Sequence, residues 1–246
     1  MLDDGFLRFR VVLFDLFDTL LLLEDVEVYY LLCLGKVYEF MLNHAINVSY
    51  EVFKKTYFTV RDEMVAGALK TLEEPHFNLR ISHMMQRLGF NLEEKDPIVT
   101  GATKAFADEL KRHTSPDPEA IDVLQQLHRK YKLGLVSNFG IPECGYELLD
   151  EFGLNQFLDA VVISGAVNRR KPSPEIFTIA LKALGVEASE TVFVGDSLDL
   201  DVQGPQNMGM TAILLKRRPI PEDNKINPDA IIEQLSELPK LLAALK

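Results

Sequence analysis

Val11-Val12-Leu13-Phe14-Asp15-Leu16-Phe17-Asp18-Thr19-Leu20 reads as a strand that runs straight into a polar turn. Its first four residues are β-branched, apolar or aromatic without a break. That is the pattern of a strand buried on both faces, as in a parallel sheet covered by helices. Three further runs resemble it: Leu133-Gly134-Leu135-Val136, Ala160-Val161-Val162-Ile163 and Thr191-Val192-Phe193-Val194. Thr211-Ala212-Ile213-Leu214-Leu215 makes a fifth. Helical patterns separate most of them. Pro118 to Lys130 carries Ile121, Leu124 and Leu127 at helical spacing, and Glu175 to Leu184 repeats the pattern until Gly185 stops it. Strands alternating with helices in this way predict a doubly wound α/β domain with a parallel sheet.

Between the first two of these strands the pattern changes. Val26 to Asn43, Tyr50 to Leu69, Asn78 to Leu88 and Ile98 to Arg112 read as helices with no strand between them, enough for a small bundle. The expected organisation is an α/β core from residues 1–20 and 112–246 with a helical insertion over 21–111. The polar, Pro-interrupted stretch Arg217 to Pro228 leads into an expected short helix from Pro228 to Leu245.

Composition narrows the function. The 246 residues carry 26 Lys and Arg against 37 Asp and Glu, a net charge of −11, which argues against a protein that grips a nucleic-acid backbone. Cys33 and Cys144 match no metal or redox spacing and are expected as reduced thiols. The apolar run Val11 to Leu23 spans 13 residues and contains Asp15 and Asp18. It falls short of the ~20 apolar residues a membrane span needs. No secretory signal organises the first ten residues. The expectation is a soluble, cytoplasmic protein with no membrane or nucleic-acid partner, monomeric or homodimeric.

Ligands of open α/β sheets bind beyond the carboxyl ends of the strands, so the polar residues just past each strand are the candidates. They are Asp15 to Leu20, then Ser137-Asn138, then the loop from Ser164 to Lys171, then Gly195-Asp196-Ser197 with Asp199 and Asp201. An acid, a hydroxyl, a lysine and an acid cluster at one sheet edge suit the joint handling of phosphate and Mg²⁺. Asp15 can attack phosphorus as a carboxylate nucleophile. Mg²⁺ takes hard oxygen ligands, here Asp15, Asp196 and the backbone carbonyl of Phe17. Lys171 suits a phosphoryl oxygen and screens Asp15, while Ser137, with neighbouring N–H groups, can donate to the transferring group.

These segments, with Lys171-Pro172-Ser173-Pro174, Gly204 and Met208-Gly209-Met210, resemble the four ordered motifs of the haloacid dehalogenase superfamily, from Val11 to Leu215. The stretch from Gly195 to Met210 looks most like its haloacid dehalogenase-like hydrolase domain-containing protein 3 group. The resemblance implies a Rossmann-like core whose helical insertion is a C1-type cap of subfamily I. It implies Asp15 as nucleophile and Mg²⁺ ligand, with Phe17 (through its carbonyl) and Asp196 as further ligands. Ser137, Asn138 and Lys171 would bind the phosphoryl group of a small phosphorylated metabolite. Asp201 would orient a metal-bound water or Lys171, and Thr19 would support the nucleophile loop.

One departure matters. The superfamily's phosphatases carry a second Asp two residues after the nucleophile as general acid and base, and here that position is Phe17. A phenyl ring cannot protonate a leaving alkoxide, and such catalysis is typically worth about 10²- to 10⁴-fold. Slow turnover of alkyl esters is therefore expected. A weakly active or non-catalytic phosphate-binding module is the alternative. The superfamily's true dehalogenases also lack this acid, but they need no Mg²⁺ and replace the motif-four Asp with Ser, whereas Asp196 remains here. Asp199 and the five histidines are expected outside the site, and Arg169 and Arg170 as solvated charge. The aromatics Tyr29, Tyr30, Tyr38 and Phe40 are expected as bundle core. Arg61, Asn78 and Arg80 are loose candidates for substrate contact from the insertion.

Overall fold

All four residues of the first strand are fully buried, and the strand lies in the middle of the sheet, as its unbroken apolar pattern requires. The computed structural model describes residues 8–245; residues 1–7 and 246, the outermost parts of the expected core segments, lie outside the described residues. In chain order the described elements begin with β1 (Val11–Phe14) and β2 (Leu21–Leu23). Four helices come next: α1 (Val26–Asn43), α2 (Tyr50–Thr71), α3 (Phe77–Arg87) and α4 (Pro97–Arg112). After them are β3 (Thr114–Pro116), α5 (Ala120–His128), β4 (Lys132–Ser137), α6 (Pro142–Glu151), β5 (Ala160–Ile163), α7 (Ser164–Val167) and α8 (Pro174–Leu184). The chain continues through β6 (Thr191–Gly195), a π-helical turn over Leu198–Gln203, α9 (Gly204–Asn207), β7 (Thr211–Leu215), β8 (Ala230–Ile232) and α10 (Leu238–Ala244).

Six strands form one parallel sheet in the order β5-β4-β1-β6-β7-β8. The chain winds outward from β1 first through β4 and β5, then on the other side through β6, β7 and β8. Crossovers thus diverge on either side of β1, which puts the ligand-binding crevice at its carboxyl end. Side chains alternate across the sheet. Val11 and Leu13 pack into one layer with Ile176, Phe177 and Phe193. Val12 and Phe14 face the other layer, whose apolar cluster continues without a break into the inserted helices through Leu21, Leu34, Phe53 and Met84.

Local chemistry sets the helix ends. Ser49, Asp96 and Ser173 accept a hydrogen bond from the backbone N–H of Val52, Ile98 and Glu175 at the starts of α2, α4 and α8. Gly185 closes α8 at φ +67°, the left-handed conformation that favours glycine. The inserted segment leaves and rejoins the core through β2 and β3, which pair antiparallel with Leu21 opposite Pro116 and Leu23 opposite Thr114.

The tail departs from expectation. No single helix spans Pro228 to Leu245; instead Ala230–Ile232 adds the sixth strand beside β7, and only Leu238–Ala244 is α-helical. The reason is that Leu214 and Leu215 leave an edge that the apolar Ile231-Ile232 pair can extend. Cys33 and Cys144 are free and buried, and burial pushes both thiols up to about 12. Among the described residues no helix is long and apolar enough to cross a membrane.

Candidate active site

β1 delivers Asp15 to the sheet edge, where its N–H donates to the Val194 carbonyl at 3.0 Å and continues the ladder by one residue. Register then fixes the neighbours. Phe14 lies opposite Leu135 of β4 and Val194 of β6, so Ser137, the last residue of β4, and Asp196, just past β6, fall at the same edge. Lys171 arrives from the loop between α7 and α8. Its backbone is held by Asn138, whose Oδ1 accepts from the Lys171 N–H at 2.7 Å and whose Nδ2 donates to the Lys171 carbonyl at 3.0 Å. Thus Asn138, expected among the phosphoryl-binding groups, uses its side-chain amide to position Lys171.

The Lys171 ammonium is 1% exposed and bridges two buried carboxylates, Asp15 Oδ1 at 2.5 Å and Asp201 Oδ1 at 2.7 Å. It also lies 5.3 Å from the centroid of the Phe193 ring. Asp201 is fixed from its own turn as well, since its Oδ2 accepts from the Ser197 N–H at 3.0 Å. The π-helical turn that carries Asp201 folds tightly over the end of β6. A Cβ at Gly195 would lie 2.5 Å from Asp201 Cγ, so only glycine lets the carboxylate pack there.

Oxygens of Asp15, Asp196 and Asp201 lie within 4.8 Å of one another. Burial raises the Asp15 carboxyl to about 6 against the pull of Lys171, with Asp201 adding to the rise. Burial, with Asp15 and Asp201 next, raises Asp196 to about 7, and Arg218 offsets part of that. Lys171 is raised by the same two carboxylates, against the opposing effect of burial. This donor set is all hard oxygen with more negative than positive charge, the chemistry a small divalent cation satisfies. Both Asp201 oxygens are already taken by Lys171 and Ser197, which leaves Asp15 and Asp196 as the freer carboxylates of the three.

Residues 9–209 match the family model described as haloacid dehalogenase-like hydrolase. The chain belongs to this family. It is similar to the glyceraldehyde 3-phosphate phosphatase of Methanopyrus kandleri, 34% identical over 168 residues, covering 66% of this chain and 69% of the relative. It is similar also to the glyceraldehyde 3-phosphate phosphatase of Pyrococcus furiosus, 27% identical over 242 residues, covering 97% of this chain and 94% of the relative. Among solved structures, the 2-haloacid dehalogenase from Pseudomonas syringae pv. Tomato DC3000 aligns with a TM-score of 0.74 at 23% identity. That alignment covers 97% of this chain and 100% of the other and shows the shared fold.

In this haloacid dehalogenase-like hydrolase, two arginines beyond β7 complete the surroundings of the acids. Arg217 donates to the carbonyls of Asp18 and Thr19 at 3.0 and 3.3 Å and pairs with Asp117 at 2.5 Å, tying down the loop after Asp15. Arg218 pairs with Asp18 at 2.5 Å and with Asp196 at 2.9 Å while remaining largely exposed. Sequence reasoning missed both. The signal was available, because they sit just past a strand as the other candidates do. Thr19 is fully buried and its hydroxyl has no hydrogen-bond partner among the described residues.

Beside these groups the hydrolase holds a cavity of about 290 Å³ between its helical segment and the sheet edge. Phe17, Asn138 and Phe139 form its core side, and Tyr29, Tyr30, Phe77, Arg80 and Phe106 line it from the helices. Tyr29 and Tyr30, expected as bundle core, therefore also face this hollow. Of the loose candidates only Arg80 lines this cavity; Arg61 pairs with its neighbour Asp62, and Asn78 lines hollows elsewhere. Arg169 and Arg170, expected as solvated charge, instead pair with Glu73 and Glu74. Asp199 is exposed, as expected.

Proposed function

We propose that this hydrolase is a Mg²⁺-dependent phosphatase acting on a small phosphorylated metabolite through an aspartyl-phosphate on Asp15. The observation that carries the reading is the Lys171 ammonium set between Asp15 and Asp201 with Asp196 alongside. Its named relatives are phosphatases, which supports the same reaction. Asp15 and Asp196, with the Phe17 carbonyl, would hold the metal. When bound, Mg²⁺ withdraws charge from phosphoryl oxygens and offsets the repulsion between carboxylates and anion. Asp15 attacks phosphorus, Lys171 neutralises the phosphoryl oxygens and keeps Asp15 ionised, and Ser137 donates a hydrogen bond to the transferring group. Asn138 and Asp201 hold Lys171 in place. The inserted segment over 21–111, helical from α1 onward, would serve as the cap that shields the reaction.

The test is phosphate release from a panel that includes glyceraldehyde 3-phosphate, phosphoserine and an activated aryl phosphate, with Mg²⁺ and with EDTA. Metal-dependent release is the expected result. Saturable ligand binding without release under any condition would favour a binding module. Halide release from 2-haloacids in EDTA would overturn the reading in favour of dehalogenation.

Phe17 defines a second expectation. Phe17→Asp restores a carboxyl two residues after the nucleophile and should raise kcat for an alkyl phosphate by about 10²-fold or more. A folded variant with no gain would show that the missing acid is not what limits the reaction.

Metal binding should depend on pH with a sign fixed by the acids. Asp15 and Asp196 titrate near 6 and 7 in the metal-free protein, against an ordinary 3.8. Protons therefore compete with the cation below about pH 7, and affinity should rise roughly tenfold per pH unit where one proton is displaced. Because both folded values are raised, the stability these acids contribute is present below pH 3.8 and lost as pH rises through 6 and 7. Titration calorimetry with Mg²⁺ and thermal melts check both: the Tm gain on adding Mg²⁺ should be larger at pH 8 than at pH 5.5. An equal gain at both values would contradict the assignment of these carboxylates as ligands.

A further inference from the structure

The cavity walled by Phe17, two residues beyond Asp15, has a chemical character that narrows the choice of metabolite. Six aromatic rings line it: Phe17 meets Phe139 edge to face at 5.0 Å and 71°, and Tyr30 meets Phe106 edge to face at 5.5 Å and 76°. Such walls favour another ring in offset or edge contact. At about 290 Å³ the space lies at the small end of ligand sites, enough for one substituted ring. Into the same space comes Arg80. Its Nη1 donates only to the neutral hydroxyls of Tyr30 and Tyr57, both at a long 3.4 Å, and its enclosed Nε has no partner. Among the described residues no carboxylate pairs with it directly: Glu74, which also lines the cavity, pairs with Arg170 at 3.5 Å and acts on Arg80 only at longer range, and the guanidinium lies 5.0 Å from the centroid of the Phe77 ring. A largely enclosed guanidinium whose polar contacts are long and whose Nε has no partner is incompletely compensated, and an anionic group on a ligand would complete its contacts through a charge-assisted, two-pronged pairing.

Phe17 stands two residues beyond Asp15 and presents a phenyl ring, which has no proton to give, as a wall of the cavity. With a phenyl ring and not an acid at this position, an ester whose leaving oxygen is already stable as an anion reacts best. A phenol, with pKa near 10, meets that condition far better than an aliphatic alcohol, whose acidity is closer to that of water at about 15.7.

Resting on the phosphatase reading above, we infer that the substrates of this site are phosphate monoesters of phenols that bear an anionic group such as a carboxylate, with the ring among Phe17, Phe139 and Tyr30 and the anion on Arg80. In the first step an Asp15 oxygen forms a bond to phosphorus, the bond from phosphorus to the aryl oxygen breaks, and its electron pair leaves as phenolate, which takes a proton from solvent water. In the second, water adds to phosphorus, releases the Asp15 carboxylate and gives inorganic phosphate, its proton passing to solvent.

Three esters separate the possibilities: phenyl phosphate, carboxyphenyl phosphate and benzyl phosphate, assayed with Mg²⁺ on wild type, Arg80→Gln, Arg80→Lys and Asp15→Asn. Wild type should turn over both phenolic esters at least about 100-fold faster than the benzyl ester. KM for carboxyphenyl phosphate should lie roughly tenfold or more below that for phenyl phosphate, the size of a charge-assisted hydrogen bond. Arg80→Gln should erase that gap and Arg80→Lys should retain part of it. Binding of the non-hydrolysable carboxyphenyl and phenyl phosphonates by calorimetry reads the same gap without turnover. Turnover lost in Asp15→Asn, with no gap or a gap that survives Arg80→Gln, would overturn the inference and leave the phosphatase reading intact. Silence on all esters, with an Arg80-dependent gap in phosphonate binding, would instead keep the pocket and remove the phosphatase reading.

Discussion

Asp15→Asn should abolish phosphate release, by at least about 10⁴-fold in kcat, the scale seen when a nucleophile is removed from a machinery that otherwise remains. An amide is nearly the same shape as a carboxylate but cannot form the acyl-phosphate bond. The fold should survive. Lys171 keeps its contact with Asp201 at 2.7 Å, and the strand that carries residue 15 is held by its ladder to β4 and β6. Stability should even move the other way. The folded protein holds the Asp15 carboxyl at about 6 rather than the ordinary 3.8, so ionising it opposes folding above that pH. At pH 8 without metal the Asn variant should therefore melt no lower than wild type. Unchanged phosphate release in this variant would remove Asp15 as nucleophile.

Lys171→Met should produce the largest loss of stability of any single change at the site. The ammonium is 1% exposed and is the shared partner of Asp15 and Asp201, both buried. Deleting one partner of a buried ionic cluster commonly costs about 3–5 kcal/mol, because the charges left behind are neither hydrated nor paired. The remedy open to the variant is protonation, which costs little at low pH and more at high pH. Denaturant unfolding without metal should thus show a larger deficit at pH 8 than at pH 5. Activity should be lost as well, because an Asp15 pushed further upward would sit protonated at neutral pH. Neutralising the stranded acids in Lys171→Met/Asp201→Asn should recover part of the stability and none of the turnover. A deficit independent of pH would mean that Lys171 stabilises by packing and not as a counter-charge.

How legible each part of the molecule is in the sequence depends on how local its signal is. β1, β5 and β7 begin and end where their apolar runs do, and β4 and β6 extend one residue or two beyond theirs, because a strand buried on both faces carries its environment in its own residues. β2, β3 and β8 have three residues each and exist through their partners. Thr114-Ser115-Pro116 and Ala230-Ile231-Ile232 therefore carry no run long enough to recognise. At the candidate site, Asp15, Ser137, Lys171 and Asp196 are legible because each lies at or beyond the carboxyl end of a strand, and the structure brings Asp15, Lys171 and Asp196 together at one edge. Arg217 and Arg218 hold the equivalent position past β7, but the polar, Pro-rich tail around them reads as nothing more than a loop. Asn138 is recognisable as a site residue but not as the clamp on Lys171, since a contact across 33 residues has no local trace. Arg80 could be named but not argued for. Its incomplete polar contacts and its place in a largely aromatic cavity are tertiary facts.

A covalent phosphoryl group on Asp15 can be trapped during turnover. Wild type mixed with Mg²⁺ and an activated aryl phosphate, quenched in acid during turnover and digested, should give a phosphorylated peptide that contains Asp15 by mass spectrometry. The adduct should be absent in EDTA and in Asp15→Asn. Sustained phosphate release with no adduct at any quench time, and equal release from Asp15→Asn, would contradict the account.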